Sequence, residues 1–380
     1  MGLPLRSAAL LSWRLLAHDP LRLLTSTAGI TFALLLMLGQ LGFRNALLDS
    51  SLELLHQIQA DALVLNKEKL PFLARDDMPW ERVYQALSVP GVEAAYPLWL
   101  DKLFWTNLED GTERPIRVIG FRPGDPVFRN EAIDAAARAL RTPWTALVDS
   151  RSRPSYGRLA PGPAEVNRRR LQVVGTFPLG SDFESDGNLI VSDETFAMLT
   201  GRDPRRLELA ALHLAGGAEP GAVVATLRQI LPSDVQVFTK AELLERDLLY
   251  WERGTPLSIL LLVGMALGFA VGVVTCYQIL YTDVLDHVAE FATVKALGYG
   301  AAYLRSVVLV EAWALALLGF LPGLLLGGAL HLVLGAMTRL PVHFSWGGAL
   351  VVLGLSLGMC TAAGLLALRQ VARADPAELF

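Results

Sequence analysis

The residues able to do chemistry in this chain are few and far apart. The segment from Gly180 to Phe196 reads GSDFESDGNLIVSDETF, and Asp182, Glu184, Asp186 and Gly187 match the first half of a calcium loop, with Asp193 at the twelfth position. A calcium loop of that kind sits between two helices and ends in Glu, whereas the flanks here read as strands, so a polar turn is expected. The six histidines are scattered, and neither HExxH nor GxSxG occurs. Cys276 and Cys360 are the only cysteines, and both read as small packed residues inside apolar runs. None of Lys67, Lys69, Lys102, Lys240 or Lys295 follows a glycine, so there is no GxxxxGK[ST] phosphate loop. The expectation is a chain with no catalytic residue, no metal ligands and no cofactor of its own.

The strongest local signal is DVLDHVAEFATVKALGY, Asp283 to Tyr299. At 100° per residue Asp283, Asp286, His287 and Glu290 share one helical face, while Leu285, Val288, Ala292 and Ala296 share the other. Gly298 is placed to cap the end. Such a helix can be an interfacial connector or a docking element for a partner, and the pattern alone does not choose between them. Glu311 follows about two turns into the next apolar run. A carboxylate there costs about 2.5–3.5 kcal/mol to insert, so it marks a functional candidate. With no partner acid or histidine read at matching depth, a protonated or hydrogen-bonded structural glutamate is expected. His331 reads as interfacial, toward the other end of the same run.

Four apolar runs position these residues, about Leu23–Phe43, Pro256–Tyr281, Val307–Met337 and Gly347–Leu368. Each is long enough to cross a bilayer as a helix. The chain of 380 residues is 53% hydrophobic and only 18% charged, with net charge −4 and mean hydropathy +0.41. Nearly all the charge lies between Arg44 and Arg253. Nothing in this balance suggests nucleic acid. Arg6, Arg14 and Arg22 precede the first run, which is too long for a signal peptide and is followed by no small-x-small site, so it reads as a retained span. The positive-inside rule puts both termini in the cytoplasm and the charged middle outside it. The fold class expected is an α-helical membrane protein with four transmembrane helices, one N-terminal and three C-terminal, and an α+β extracytoplasmic domain inserted between helices 1 and 2.

The expected boundaries are an interfacial helix at 1–22, helix 1 at 23–43, a stalk and α+β domain at 44–254, helix 2 at 255–281 and a coupling helix at 282–303. Helix 3 follows at 304–337, a loop at 338–346, helix 4 at 347–368 and a tail at 369–380. The first of these rests on Leu5–Ala17, where Leu10, Trp13 and Leu16 oppose Arg6 and Arg14. Gly264, Gly268 and Gly272 in helix 2, and Gly319, Gly323 and Gly327 in helix 3, recur every four residues. Such stripes let helix backbones approach closely in lipid, within one bundle or across a homodimer. Pro322 should kink helix 3. Leu47, Leu48, Leu52, Leu55 and Ile58 continue helix 1 outward as a stalk.

In the domain, a helix is expected at Pro79–Leu87 and strands at Ala62–Leu65, Ala94–Leu98, Lys102–Asn107 and Ile116–Phe121, the last two joined at Asp110-Gly111. An irregular and helical connection, Gly124–Pro143, leads to strands at Ala146–Asp149 and Leu171–Phe177. Between those two lies a Pro- and Arg-rich loop, in which Arg168-Arg169-Arg170 reads as a solvated patch. Leu189–Val191 leads into a helix capped by Ser192 or Asp193, Leu207–Leu214 is a strand and Pro220–Ile230 a helix. After the strand Val235–Phe238, Thr239 and Glu242 form a capping box that opens a helix running to Arg253.

The segment EFATVKALGY resembles the cytoplasmic signature of the FtsX-like permease family, and Glu311 with the glycines after it resembles that family's following span. The closing Arg369…Asp375-Pro376-Ala377-Glu378 resembles its tail, and the layout resembles MacB-type ABC transporter permeases. GQLGFRNALLDSS and GSDFESDGNLIVSDETF look closer still to the DevC branch. The resemblance implies a permease that works as a dimer with a separate ABC ATPase, which holds ATP and magnesium. It also implies a periplasmic adaptor (a membrane fusion protein), an outer-membrane duct, a bacterial inner-membrane location, and lipid or glycolipid cargo. By resemblance, contact with the ATPase falls to His287, Glu290, Phe291, Lys295 and Gly298. The rival expectation is an FtsX-like regulator that switches on a cell-wall hydrolase and moves no cargo.

Overall fold

The computed structural model describes residues 20–288 and 301–371. The chain divides into two compact units. One takes in the residues up to Asn45, Pro256–Leu334 and Val342 onward; the other comprises Ala46–Thr255 and Gly335–Pro341.

The first unit is a bundle of four long apolar helices: α1 (Pro20–Gln57), α7 (Pro256–Asp286), α8 (Ala301–Thr338) and α9 (Trp346–Val371). All four are long and apolar enough to cross a membrane. Their outward residues are apolar too: Leu260, Leu267, Leu325 and Leu350 are each more than 60% exposed. A helix that is apolar all round belongs in lipid or in a core. α7 begins on a proline, whose fixed φ and missing N–H suit a helix's first turn. Pro322 lies inside α8, where it supplies no N–H to the carbonyl one turn back. The bundle interior holds Ile30, Leu34, Met37, Leu280, Leu315, Val352 and Met359, with Cys276 and Cys360 as free thiols among them. The expected interfacial helix at Leu5–Ala17 lies outside the described residues.

α1 runs unbroken for 38 residues, and its last turns belong to the second unit. The stalk positions Leu47, Leu48, Leu52, Leu55 and Ile58 are all buried there.

The second unit is an α/β domain. In chain order it holds β1 (Ala62–Asn66), β2 (Met78–Pro79), α2 (Glu81–Leu87), β3 (Val92–Thr106), β4 (Glu113–Phe121), α3 (Glu131–Leu140) and β5 (Thr145–Asp149). These are followed by β6 (Gly162–Val166), β7 (Arg169–Phe177), β8 (Asn188–Ser192), α4 (Asp193–Thr200), β9 (Arg206–Leu207) and β10 (Leu209–Leu214). The last three elements are α5 (Pro220–Ile230), β11 (Val235–Thr239) and α6 (Lys240–Leu249). The main sheet has the order β11-β1-β10-β3-β4-β8-β5-β7-β6, and β2 pairs with β9 beside it. β3 also meets β6, through Trp105 opposite Val166 and Thr106 opposite Glu165. The strands from β3 to β6 therefore close into a ring, while β11, β1 and β10 extend from it as an open sheet. β3 belongs to both, its first half pairing with β10 and its second with β4.

Alternation along the strands builds two cores. Ala62 and Val64 join Trp99, Val118 and Val148 on one face, and Leu63 and Leu65 join Leu98, Leu100 and Leu147 on the other. The turn at Asp110-Gly111 closes β3 on β4, with Gly111 at φ 74°. Ser192 caps α4, and the Thr239–Glu242 capping box opens α6.

Three local expectations are corrected. The two strands read at Ala94–Leu98 and Lys102–Asn107 are one strand, β3, because Asp101 between them is buried and paired with Arg75 and Arg202 instead of turning the chain. The Pro- and Arg-rich loop contains β6, which turns through Asn167 and Arg168, both at positive φ, into β7. The single strand read at Leu207–Leu214 is split at Glu208, whose carboxylate accepts from the N–H of Leu100.

Candidate functional site

At one end of the bundle, three helices bring charge together. Arg22 lies in the first turn of α1. Its guanidinium donates to Asp286 Oδ2 at 2.7 Å and stands 3.4 Å from Asp283 Oδ1. Asp283 and Asp286 are three residues apart in the last turns of α7, hence on one face. Asp283 is only 6% exposed and Glu311, in the third turn of α8, is fully buried. Asp283 and Arg22 are the charged groups acting on Glu311. One oxygen of Asp283 and both of Glu311 have no hydrogen-bond donor among the described residues. A buried carboxylate without donors is costly, so this corner is held by the charge balance with Arg22.

His287 ends this corner. Its Nδ1 lies 3.0 Å from the carbonyl of Asp283 and 3.7 Å from that residue's carboxylate. Of the residues read as ATPase-coupling, His287 alone is described; Glu290, Phe291, Lys295 and Gly298 lie outside the described residues. The expectation for Glu311 is corrected in one respect: Asp283 is its partner acid at matching depth. His331 is 5% exposed, with Nδ1 2.6 Å from the carbonyl of Gly327 and its ring against Phe344.

The two glycine stripes both abut α1. A methyl at Gly264 would meet Gln40, one at Gly268 would meet Met37, and one at Gly272 would meet Ala33 and Met359. The partners run backward along α1, so α7 is antiparallel to it. A methyl at Gly319 would lie 2.6 Å from Ile30, one at Gly323 3.2 Å from Leu34, and one at Gly327 2.7 Å from Leu38. Here the partners run forward, so α8 is parallel. α1 is thus gripped between two small-residue faces of its own bundle. The hydroxyl of Thr31 strengthens the contact by donating to the carbonyl of Gly319 at 3.1 Å.

In the α/β unit, the calcium-like segment is a turn closed by a buried ion pair. Arg117 on β4 donates to both oxygens of Asp182, at 2.5 and 3.1 Å, and the two side chains are 3% and 6% exposed. Asp182 also accepts the N–H groups of Glu184 and Ser185, while Glu184 pairs with Lys102 and Asp186 with Arg153. Asn188 ties the turn to Asp149. A second network surrounds Arg202, which reaches Asp77, Asp101 and Glu208. Burial pushes the Glu208 carboxyl up against the pull of Arg202. Beside it Lys69 is fully buried with no hydrogen-bond partner for its ammonium among the described residues, and burial lowers its pKa to about 8. Neither Lys69 nor Arg22 stands out in the sequence. The only signal is an arginine just ahead of an apolar run and a pair of aspartates just after another.

Residues 257–376 match the FtsX-like permease C-terminal family. Two uncharacterized ABC transporter permeases of Mycobacterium tuberculosis, from strains CDC 1551 and H37Rv, are each 25% identical over 320 residues, covering 82% of this chain and 81% of theirs. Among solved structures, the periplasmic region of MacB from Actinobacillus actinomycetemcomitans aligns with a TM-score of 0.36 and 9% identity, over 48% of this chain and 91% of that one. The extracellular domain of the noncanonic ABC-type transporter YknZ from Gram-positive bacteria aligns with a TM-score of 0.35 and 12% identity, over 48% of this chain and all (100%) of that one. The chain thus has four helices long and apolar enough to cross a membrane, an α/β domain between the first and second, a C-terminal segment that matches the FtsX-like permease family, and similarity over most of its length to ABC transporter permeases.

Proposed function

We propose that this permease is the membrane half of an ABC exporter that passes motion from a separate ATPase to its α/β domain. An ABC transporter permease implies a partner ATPase, and the segment that follows α7 is where we infer that it docks, through His287, Glu290, Phe291, Lys295 and Gly298. The observation that carries the reading is the Arg22 clamp. It fastens the start of α1 to the last turns of α7, immediately before the docking segment. A push on that segment then bears on α1, which is one unbroken helix into the α/β domain. Two glycine faces hold α1 along its length, which suits a rod that moves as a piece.

In this reading the chain pairs with a second copy and both termini face the cytoplasm of a bacterial inner membrane. The α/β domain works outside, on a periplasmic adaptor and an outer-membrane duct. The cargo class is a lipid or glycolipid, and the stalk and domain act on it beyond the membrane. The proposal is tested by reconstituting the permease with its ATPase and measuring ATP hydrolysis and transport together. Glu290→Lys is expected to abolish transport while the complex still inserts; transport at the unaltered rate would overturn the docking assignment.

A further inference from the structure

A cleft of about 350 Å3 opens on the α/β unit where the start of α2, β3, the end of β4 and the loop before β9 meet. That volume is in the range of small-molecule sites. Its chemistry is mixed in a particular way. Trp80 stacks on Trp99 with ring centroids 5.8 Å apart, and the guanidinium of Arg122 sits 4.3 Å from the centroid of the Trp80 ring. Tyr84 stands at 59° to Trp80, 6.2 Å away, and is 64% exposed. So the aromatic surface left open is Tyr84. Trp99 is only 2% exposed, and its indole N–H has no acceptor among the described residues. Tryptophan N–H groups usually find a partner when buried, so an unmatched one beside a cleft points to an acceptor that arrives from outside.

The charged groups define that visitor. Two cations, Arg122 and Arg205, face two anions, Glu81 and Asp193, around the same opening. Arg122 and Asp193 already stand 3.4 Å apart. An anion or a cation would meet one repulsive pair, and a zwitterion would have to break the existing one. A neutral ring bearing several hydroxyls meets neither difficulty. Each hydroxyl both donates and accepts, so it can bond a carboxylate, a guanidinium or the indole N–H while the existing pair stays closed. One apolar ring face then lies against Tyr84.

We propose that this cleft binds a neutral saccharide ring, with Tyr84 as its platform and Glu81, Asp193, Arg122, Arg205 and the Trp99 N–H as its hydrogen-bonding partners. The proposal stands independently of the export reading. It is tested with the full-length permease in nanodiscs of phosphatidylethanolamine and phosphatidylglycerol, free of sugar-based detergent. Saturation-transfer NMR is recorded with methyl glucoside, methyl galactoside and N-acetylglucosamine, and with glycine and choline as charged probes. Saturable transfer to at least one sugar and none to glycine or choline is expected. Tyr84→Ala, at an exposed position, should weaken binding about fivefold to tenfold, and Trp99→Phe, which keeps a ring and removes the N–H, should weaken it as well. Transfer to no sugar, preference for a charged probe, or sugar binding unchanged in both variants would each overturn the proposal.

Discussion

Arg22 and Asp286 are 264 residues apart in the chain and 2.7 Å apart in space. With Asp283 on the same guanidinium and Glu311 buried beside it, this contact joins α1, α7 and α8 at one corner. Removing the cation leaves a buried carboxylate uncompensated, at about 1–3 kcal/mol. Arg22→Gln is therefore expected to lower the thermal stability of the purified permease and to leave ATP hydrolysis running without transport. Arg22→Lys should restore only part of both, since a compact ammonium bridges two carboxylates less well than a guanidinium fork. Coupled ATPase and transport assays on the three proteins check this; an Arg22→Gln protein that transports normally would remove the clamp from the mechanism.

The glycine faces make a prediction with its own internal control. At Gly319 a methyl would meet Ile30 at 2.6 Å, whereas at Gly328 it would meet nothing within 4 Å. Gly319→Ala is expected to destabilise the bundle by about 1–3 kcal/mol through overpacking. Gly328→Ala should be neutral or stabilising, because alanine favours helix. Thermal melts of the two variants in the same lipid check the difference, and equal melts would mean that α1 and α8 do not pack this closely.

Lys69 predicts a pH dependence. Its folded pKa of about 8 lies below the ordinary 10.5, with burial as the main cause. Between those values the unfolded chain binds the extra proton, so stability rises as pH increases from about 8 to 10.5 and the penalty is complete below about 8. The shift corresponds to about 3 kcal/mol. Lys240 is lowered too, also chiefly by burial, so the comparison with Lys69→Met isolates the effect. Urea unfolding of the full-length protein across this range should show a flatter profile in Lys69→Met, and no loss of stability at pH 7. A variant that is less stable at pH 7 would contradict the assignment.

The buried Arg117–Asp182 pair predicts the behaviour of the calcium-like turn. Asp182→Ala strands a guanidinium that is 3% exposed, which costs about 3–5 kcal/mol. Calcium added to the unaltered protein should leave its melting temperature unchanged, because Asp182 is already engaged by Arg117 and by two N–H groups. A calcium-dependent rise would show that the turn is a site after all.

Much of the architecture is legible in the residues. Apolar runs announce the four helices, glycine stripes announce the close-packing faces of two of them, and Thr239 with Glu242 announces α6 through a capping box. β6 is not legible, because Gly162-Pro163 and the three successive arginines after it have the composition of a loop, and pairing with β7 and with the end of β3 makes a strand of it. Asp101 looks like a strand breaker until Arg202 arrives from more than a hundred residues away. The same holds at the corner of the bundle. Arg22 reads as a topology signal and Asp283 as a polar helix face, and their contact is a long-range pairing that no local pattern encodes.

A separate ATPase is proposed to drive this permease. Affinity purification from native membranes in mild detergent, with mass spectrometry of the co-purifying chains, tests this most directly. Recovery of an ABC ATPase together with a periplasmic adaptor is expected. Recovery of the intact permease with no ATPase would contradict the proposal.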